Sequence, residues 1–246
     1  MILAFMFGLI AGLALFIGAL VGIYLKPSKK TSAKIMAFGS GVLISAITFD
    51  LIEDAYQNGG ILPISAGIIL GTLAFVLGDW LIGKRGGHHR KHLKSERSDF
   101  KGEANSLAIT FGALLDGIPE SVIIGTSLLA GKGAGILMFV AVFLSNIPEG
   151  ISGVYGITKA KKNKIFILAL WLFIAIICGF SSYFGYRYLA GASDMLMALV
   201  SSVAAGSILA MITDTMIPEA YEEGGVFVAL STVFGFLVSF IVSKLT

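Results

Sequence analysis

The sequence predicts an all-α polytopic membrane protein with eight transmembrane helices. Three observations carry this. Apolar runs of about 20 residues, long enough to cross a bilayer as helix, recur along the whole chain, which is 56% hydrophobic and only 13% charged. The alternating ten-residue segments of a transmembrane barrel are absent. The basic residues gather in every second connection, as cytoplasmic loops do.

Taken in order, the apolar runs cover roughly 2–25, 34–55, 61–83, 104–130, 133–157, 165–189, 195–220 and 225–244. The first begins at Ile2 with no basic stretch before it and no Ala-x-Ala pattern after it, so it is expected to be a span rather than a removable signal. The breaks carry Lys, Pro, Gly or Asn, as loops do. Gly8/Gly12 and Gly18/Gly22 in the first run are small-xxx-small spacings, which let membrane helices pack backbone to backbone. The single Cys178 excludes an internal disulfide.

Charge sets the orientation. Segments 26–34, 84–101 and 159–164 hold fifteen of the eighteen Lys and Arg residues; the others are Lys132, Arg187 and Lys244. With the basic loops in the cytoplasm, eight spans leave both termini outside.

A repeat is visible as well. Residues 41–60 match 206–225 without a gap, eight of twenty positions being identical, and Asp54 pairs with Glu219 ahead of a shared Ala-Tyr-x-x-Gly-Gly. The two copies would run in opposite directions through the membrane, which is the mark of an inverted repeat. The expected layout is one transmembrane domain over 1–246. Repeats 1–83 and 165–246 flank central helices within 104–157, with a cytoplasmic loop at 84–103.

The central helices carry the chemistry. One contains Asp116-Gly117-Ile118-Pro119-Glu120 and the other Ser145-Asn146-Ile147-Pro148-Glu149-Gly150. Asp116 and Glu120, like Ser145 and Glu149, are four apart and share a helix face. Pro119 and Pro148 supply no N–H, which frees the carbonyls of Leu115 and Leu144. Carboxylates in a membrane interior need a counter-charge. No span interior offers Lys or Arg, so a cation or protons would supply it. Asn146 and Ser145 add neutral oxygens.

On these motifs the chain resembles the ZIP family of divalent metal transporters. The family has eight helices, a long cytoplasmic loop after the third and proline motifs in the fourth and fifth. Its fourth span carries His-Asn-x-Pro-Asp/Glu, and its fifth carries His-Glu-x-Pro-His or His-Asn-x-Pro-Glu-Gly. The resemblance implies that Glu120 and Glu149 bridge a two-metal centre. Asp116 and Ser145 would then be ligands of one metal and Asn146 of the other. Asp116 and Ser145 stand where the family has histidine, and Gly117 where it has asparagine. The remaining set is all oxygen, which suits Mn2+ or Fe2+ at least as well as the family's usual Zn2+.

Asp50 and Asp54 toward the outer end of the second span, and Asp214 and Glu219 in the seventh, are candidates to line the pathway. The loop histidines His88, His89 and His92 sit among seven positive charges. By the resemblance such loops sense cytoplasmic metal.

The expected function is transport of a divalent cation into the cytoplasm by alternating access, across a plasma membrane. The partners are lipid, the metal ion and a second copy of the chain, not nucleic acid. A channel is the alternative use of the same site. An intramembrane hydrolase is the weaker rival: no His-Glu-x-x-His occurs, and Gly78-Asp79 lacks both the glycine context and the Tyr-Asp partner of an aspartyl protease.

Overall fold

A computed structural model describes residues 1–82, 102–130, 132–159 and 163–245. Every regular element among them is helical. In chain order these are α1 (Ile2–Tyr24), α2 (Lys29–Ala46), α3 (Glu53–Gly59), α4 (Ile61–Ile82), α5 (Gly102–Ala130), α6 (Lys132–Lys159), α7 (Lys164–Leu189), α8 (Asp194–Met211), α9 (Ile217–Gly224) and α10 (Val228–Leu245).

The bundle is apolar outside as well as inside. Ile69, Leu73, Val76 and Trp80 of α4, and Leu230, Val233, Phe234 and Leu237 of α10, are all exposed. An exposed apolar surface of this extent is what lipid requires. Among the described residues, seven segments are long and apolar enough to cross a membrane, against the eight expected from sequence. The difference lies in the last segment. Asp194–Leu245 forms one 52-residue stretch in which α8, α9 and α10 follow each other without an intervening polar loop.

Helix starts are set by caps that hydropathy alone misses. Ser28 accepts a hydrogen bond from the Thr31 N–H, and Ser193 accepts one from the Leu196 N–H. Each satisfies an N–H that the first helical turn leaves without a partner. The second span therefore begins at Lys29, five residues earlier than its apolar run.

Between α2 and α3 the chain makes a π turn over Ile47–Ile52, and between α8 and α9 a second one over Ile212–Met216. π turns insert a residue into the helical ladder and cluster at functional places. α3 ends at Gly60 with φ 75°, and α9 ends at Gly225 with φ 65°, a left-handed conformation that glycine takes without steric cost.

Packing is backbone to backbone. α1 lays Gly8 and Gly12 against α7 and Gly18 and Gly22 against α6, as the small-xxx-small spacings predict. α2 lies along α10 and α4 along α8. A side chain at Gly41 would run into the backbone of Thr232 on α10, and one at Gly206 into that of Ile68 on α4. Two groups result: α1, α5, α6 and α7 pack on one another, and so do α2, α3, α4, α8, α9 and α10. They meet where α2 touches α6 and α5 touches α8.

Candidate metal centre

The two proline motifs face the interior. Helices α5 and α6 pass through Pro119 and Pro148 without ending and pack on each other. Asp116 is 2% exposed, Glu120 0%, Ser145 0%, Asn146 1% and Glu149 8%. All five sequence candidates are thus withdrawn from lipid, which for an ionisable group in a membrane is the placement with the lower cost.

The two neutral side chains are oriented by their own hydrogens. Ser145 Oγ donates to the Val142 carbonyl at 3.0 Å, and Asn146 Nδ2 donates across to the Ala11 carbonyl of α1 at 2.9 Å. With the serine hydroxyl and one amide N–H so used, the serine lone pairs and the amide oxygen are left as acceptors. Asn146 Oδ1 is buried with no hydrogen-bond partner among the described residues. Gly39 of α2 comes within 3.1 Å of the Ser145 backbone, measured from where its Cβ would stand. This contact joins the two helix groups at the motif.

Cys178 of α7 is a neighbour that sequence reasoning left unassigned. Its thiol donates to the Gly117 carbonyl at 3.8 Å. It shares a hydrogen bond with Ser121 and lies within electrostatic reach of both Glu120 and Glu149. The two glutamates therefore belong to one neighbourhood at the α5–α6–α7 junction. Among the described residues, no three His, Cys, Asp or Glu side chains are gathered tightly enough to hold a metal ion by themselves. A cation held here would have to draw on neutral oxygens beside the carboxylates, a donor set that hard and borderline divalent metals accept.

On the side of the bundle that carries Asn58 and Gly191, a cavity of about 490 Å³ opens between the two groups. Asp50, Asp54, Asn58, Thr126, Ser127 and Asp194 contribute to its wall. Asp50 Oδ1 accepts a hydrogen bond from Ser243 of α10 at 2.6 Å. Two sequence candidates, Asp50 and Asp54, are brought together here with Asp194, which the sequence reading missed. The repeat offset gave no signal for it: Ser193 stands 165 positions after Ser28, but Asp194 falls opposite Lys29.

On the side that carries Lys29, a pocket of only about 10 Å³ lies between Met36, Glu149, Ser152, Met216 and Glu219. Glu219 is 5% exposed and accepts a hydrogen bond from Ser152 Oγ at 2.5 Å. Ser152 was also missed; it stands three residues beyond Glu149 on the same helix face. Asp214, on the second π turn, is exposed and borders neither space. His88, His89 and His92 lie outside the described residues.

The fold and these sites define a class: a helical membrane protein that buries carboxylates on two proline-containing helices and opens a polar cavity toward one side. No family model matches the chain. It is similar to proteins named zinc transporter ZupT from Salmonella heidelberg (strain SL476), Salmonella newport (strain SL254) and Salmonella typhimurium (strain LT2). Each is 27% identical over 227 residues, covering 87% of this chain and 85% of the relative. These relatives support the ZIP resemblance carried by the Ile-Pro-Glu helices, and they are named as transporters, not enzymes.

Proposed function

We propose that this chain transports divalent transition-metal cations, zinc foremost, across the plasma membrane into the cytoplasm. The observation that carries the proposal is the burial of Glu120 and Glu149 on adjacent proline-containing helices. The zinc transporters to which the chain is similar over most of its length support the choice of metal. The ion exchanges its water for Asp116, Glu120 and Glu149, with Ser145 and Asn146 contributing oxygen. Because the ligand set is all oxygen, iron(II) and manganese are competing substrates.

The membrane layout consists of eight spans with both termini outside. Asp194–Leu245 contributes two of them. At 1.5 Å per residue, 52 helical residues would extend about 78 Å, against a hydrocarbon core of about 30 Å, and Gly224-Gly225 supplies the turn. The layout is an inverted repeat, 3+2+3. In its support, the π turns begin at Ile47 and Ile212, 165 positions apart, and the positive-φ glycines Gly60 and Gly225 share that spacing. The pairing of α2 with α10 also mirrors that of α8 with α4. The two helix groups then move relative to each other and expose the centre to each side in turn.

The test is uptake of labelled zinc into vesicles. Glu120→Gln and Glu149→Gln keep side-chain volume and remove the charge, and each is expected to lower uptake at least about tenfold, the effect of losing roughly 1.4 kcal/mol of binding. Undiminished uptake in both would overturn the assignment. Unlabelled iron(II) and manganese, added as competitors, rank the metals.

A further inference from the structure

The two polar spaces stand in a relation that neither shows alone. Met36, Met216 and Glu219 line the small pocket on the Lys29 side. Their positions 165 residues away are Ser201, Leu51 and Asp54, and all three line the large cavity on the Asn58 side. Equivalent positions of the repeat are therefore in contact with the central helices at one end and stand off from them at the other. At the closed end, α9 is tied to α6 by the hydrogen bond from Ser152 to Glu219. At the open end, Asp54 faces Thr126 and Ser127 of α5 across the cavity.

We propose that Ser152 and Glu219 form the latch of a cytoplasmic gate, packed by Met36 and Met216, and that the metal itself releases it. The inference rests on the transport reading above and deepens it. The hydrogen bond runs from α6 to α9 and so joins the two helix groups. A hydroxyl-to-carboxylate bond of this length in a buried setting is among the stronger kinds. Glu219 shares its pocket with Glu149 of the metal centre. A cation leaving Glu149 meets the Glu219 carboxylate next, and coordination there competes with the Ser152 hydroxyl for the same oxygen. The latch opens when a cation arrives and closes when it has gone. The pocket holds about one water-sized body, so passage requires the two thioether side chains to move apart. Methionine, unbranched and flexible, does so readily.

The test reads conformation without reading transport. In a Cys178→Ala background, Met36→Cys reports the small pocket and Ser201→Cys the large cavity. Each is labelled with a membrane-impermeant thiol reagent in right-side-out and in inside-out vesicles. Without metal, Ser201→Cys is expected to react from one side and Met36→Cys to be protected from both. Ser152→Ala should raise Met36→Cys labelling about tenfold from the opposite side and slow Ser201→Cys labelling, as expected for losing a charge-assisted bond. Ser152→Thr, which keeps the hydroxyl, should restore protection. Zinc chloride should raise Met36→Cys labelling in the latched protein. Labelling that ignores Ser152→Ala, or zinc that leaves Met36→Cys protected, overturns the latch. Undiminished zinc uptake by Glu120→Gln and Glu149→Gln with these labelling responses intact would instead count against the metal-centre assignment, and exchanged vesicle sides would count against the orientation alone.

Discussion

Asn146 ties two helices with one half of its amide and keeps the other half unused. Its amide N–H ties α6 to the Ala11 carbonyl of α1, while its oxygen stays buried without a hydrogen-bond partner among the described residues. Asn146→Ala should lower stability by about 1 kcal/mol, the usual size of an interhelical hydrogen bond in a membrane, as read by thermal unfolding in detergent. If the oxygen is also a ligand, zinc uptake per folded molecule falls further than the unfolding shift explains. Asp116 and Ser145, the two positions where the ZIP family that the chain resembles has histidine, are as buried as the glutamates. Asp116→His should shift metal preference toward zinc over manganese, because imidazole suits zinc and carboxylate suits manganese. Competition uptake measures the change. Residue burial follows from tertiary packing, so the sequence could nominate Asp116, Glu120 and Glu149 by chemistry but could not tell them from Asp214, which is exposed.

At the scale of the element, glycine governs packing and hydropathy governs length. Helix pairs α2–α10 and α4–α8 meet at Gly41 and Gly206, where any Cβ meets backbone. Gly41→Leu and Gly206→Leu should each cost about 2 kcal/mol or more, since backbone cannot give way as a flexible side chain does. The folded fraction after detergent extraction should drop sharply. Leu73→Ala on the exposed face of α4 should leave it unchanged, because lipid replaces the lost contacts. The caps and π turns were the part that the apolar pattern did not show. Ser28 and Ser193 set helix starts through single hydrogen bonds, and a π turn adds one residue without changing hydropathy. The number of crossings was legible only in part. A run such as 195–244 reads as two spans from Gly224-Gly225 and as one stretch from composition.

At the scale of the whole molecule, two helix groups meet around the buried carboxylates of α5 and α6, with a large cavity on one side and a small pocket on the other. Metal ligands must shed protons to bind, so acid competes with the substrate. Zinc uptake should therefore weaken as external pH falls, through a rising apparent KM at first and not through a lower maximal rate. An uptake series at several zinc concentrations and pH values separates the two. The basic loops provide a check on orientation: a cysteine at Lys30 should react with impermeant reagent only in inside-out vesicles, and one at Gly191 only in right-side-out ones.

The sequence by itself determined that this is a helical membrane protein, because an apolar run of about 20 residues has no other stable use. It also singled out the two helices whose carboxylates the structure buries, since carboxylates beside proline in an apolar run are rare and costly. The offset of 165 residues was legible too. Only the tertiary structure decided which acids share a space. Asp50 and Asp54 meet Asp194 across a cavity, Glu219 meets Ser152 and Glu149 in a pocket, and Asp214 meets neither. The physical reason is that a helix presents each side chain in a direction fixed by its own rotation, and that rotation is set by glycine contacts with neighbours far away in the chain. The two Ile-Pro-Glu helices put carboxylates into apolar runs; what lies on either side of them is decided by how the flanking helices pack against them.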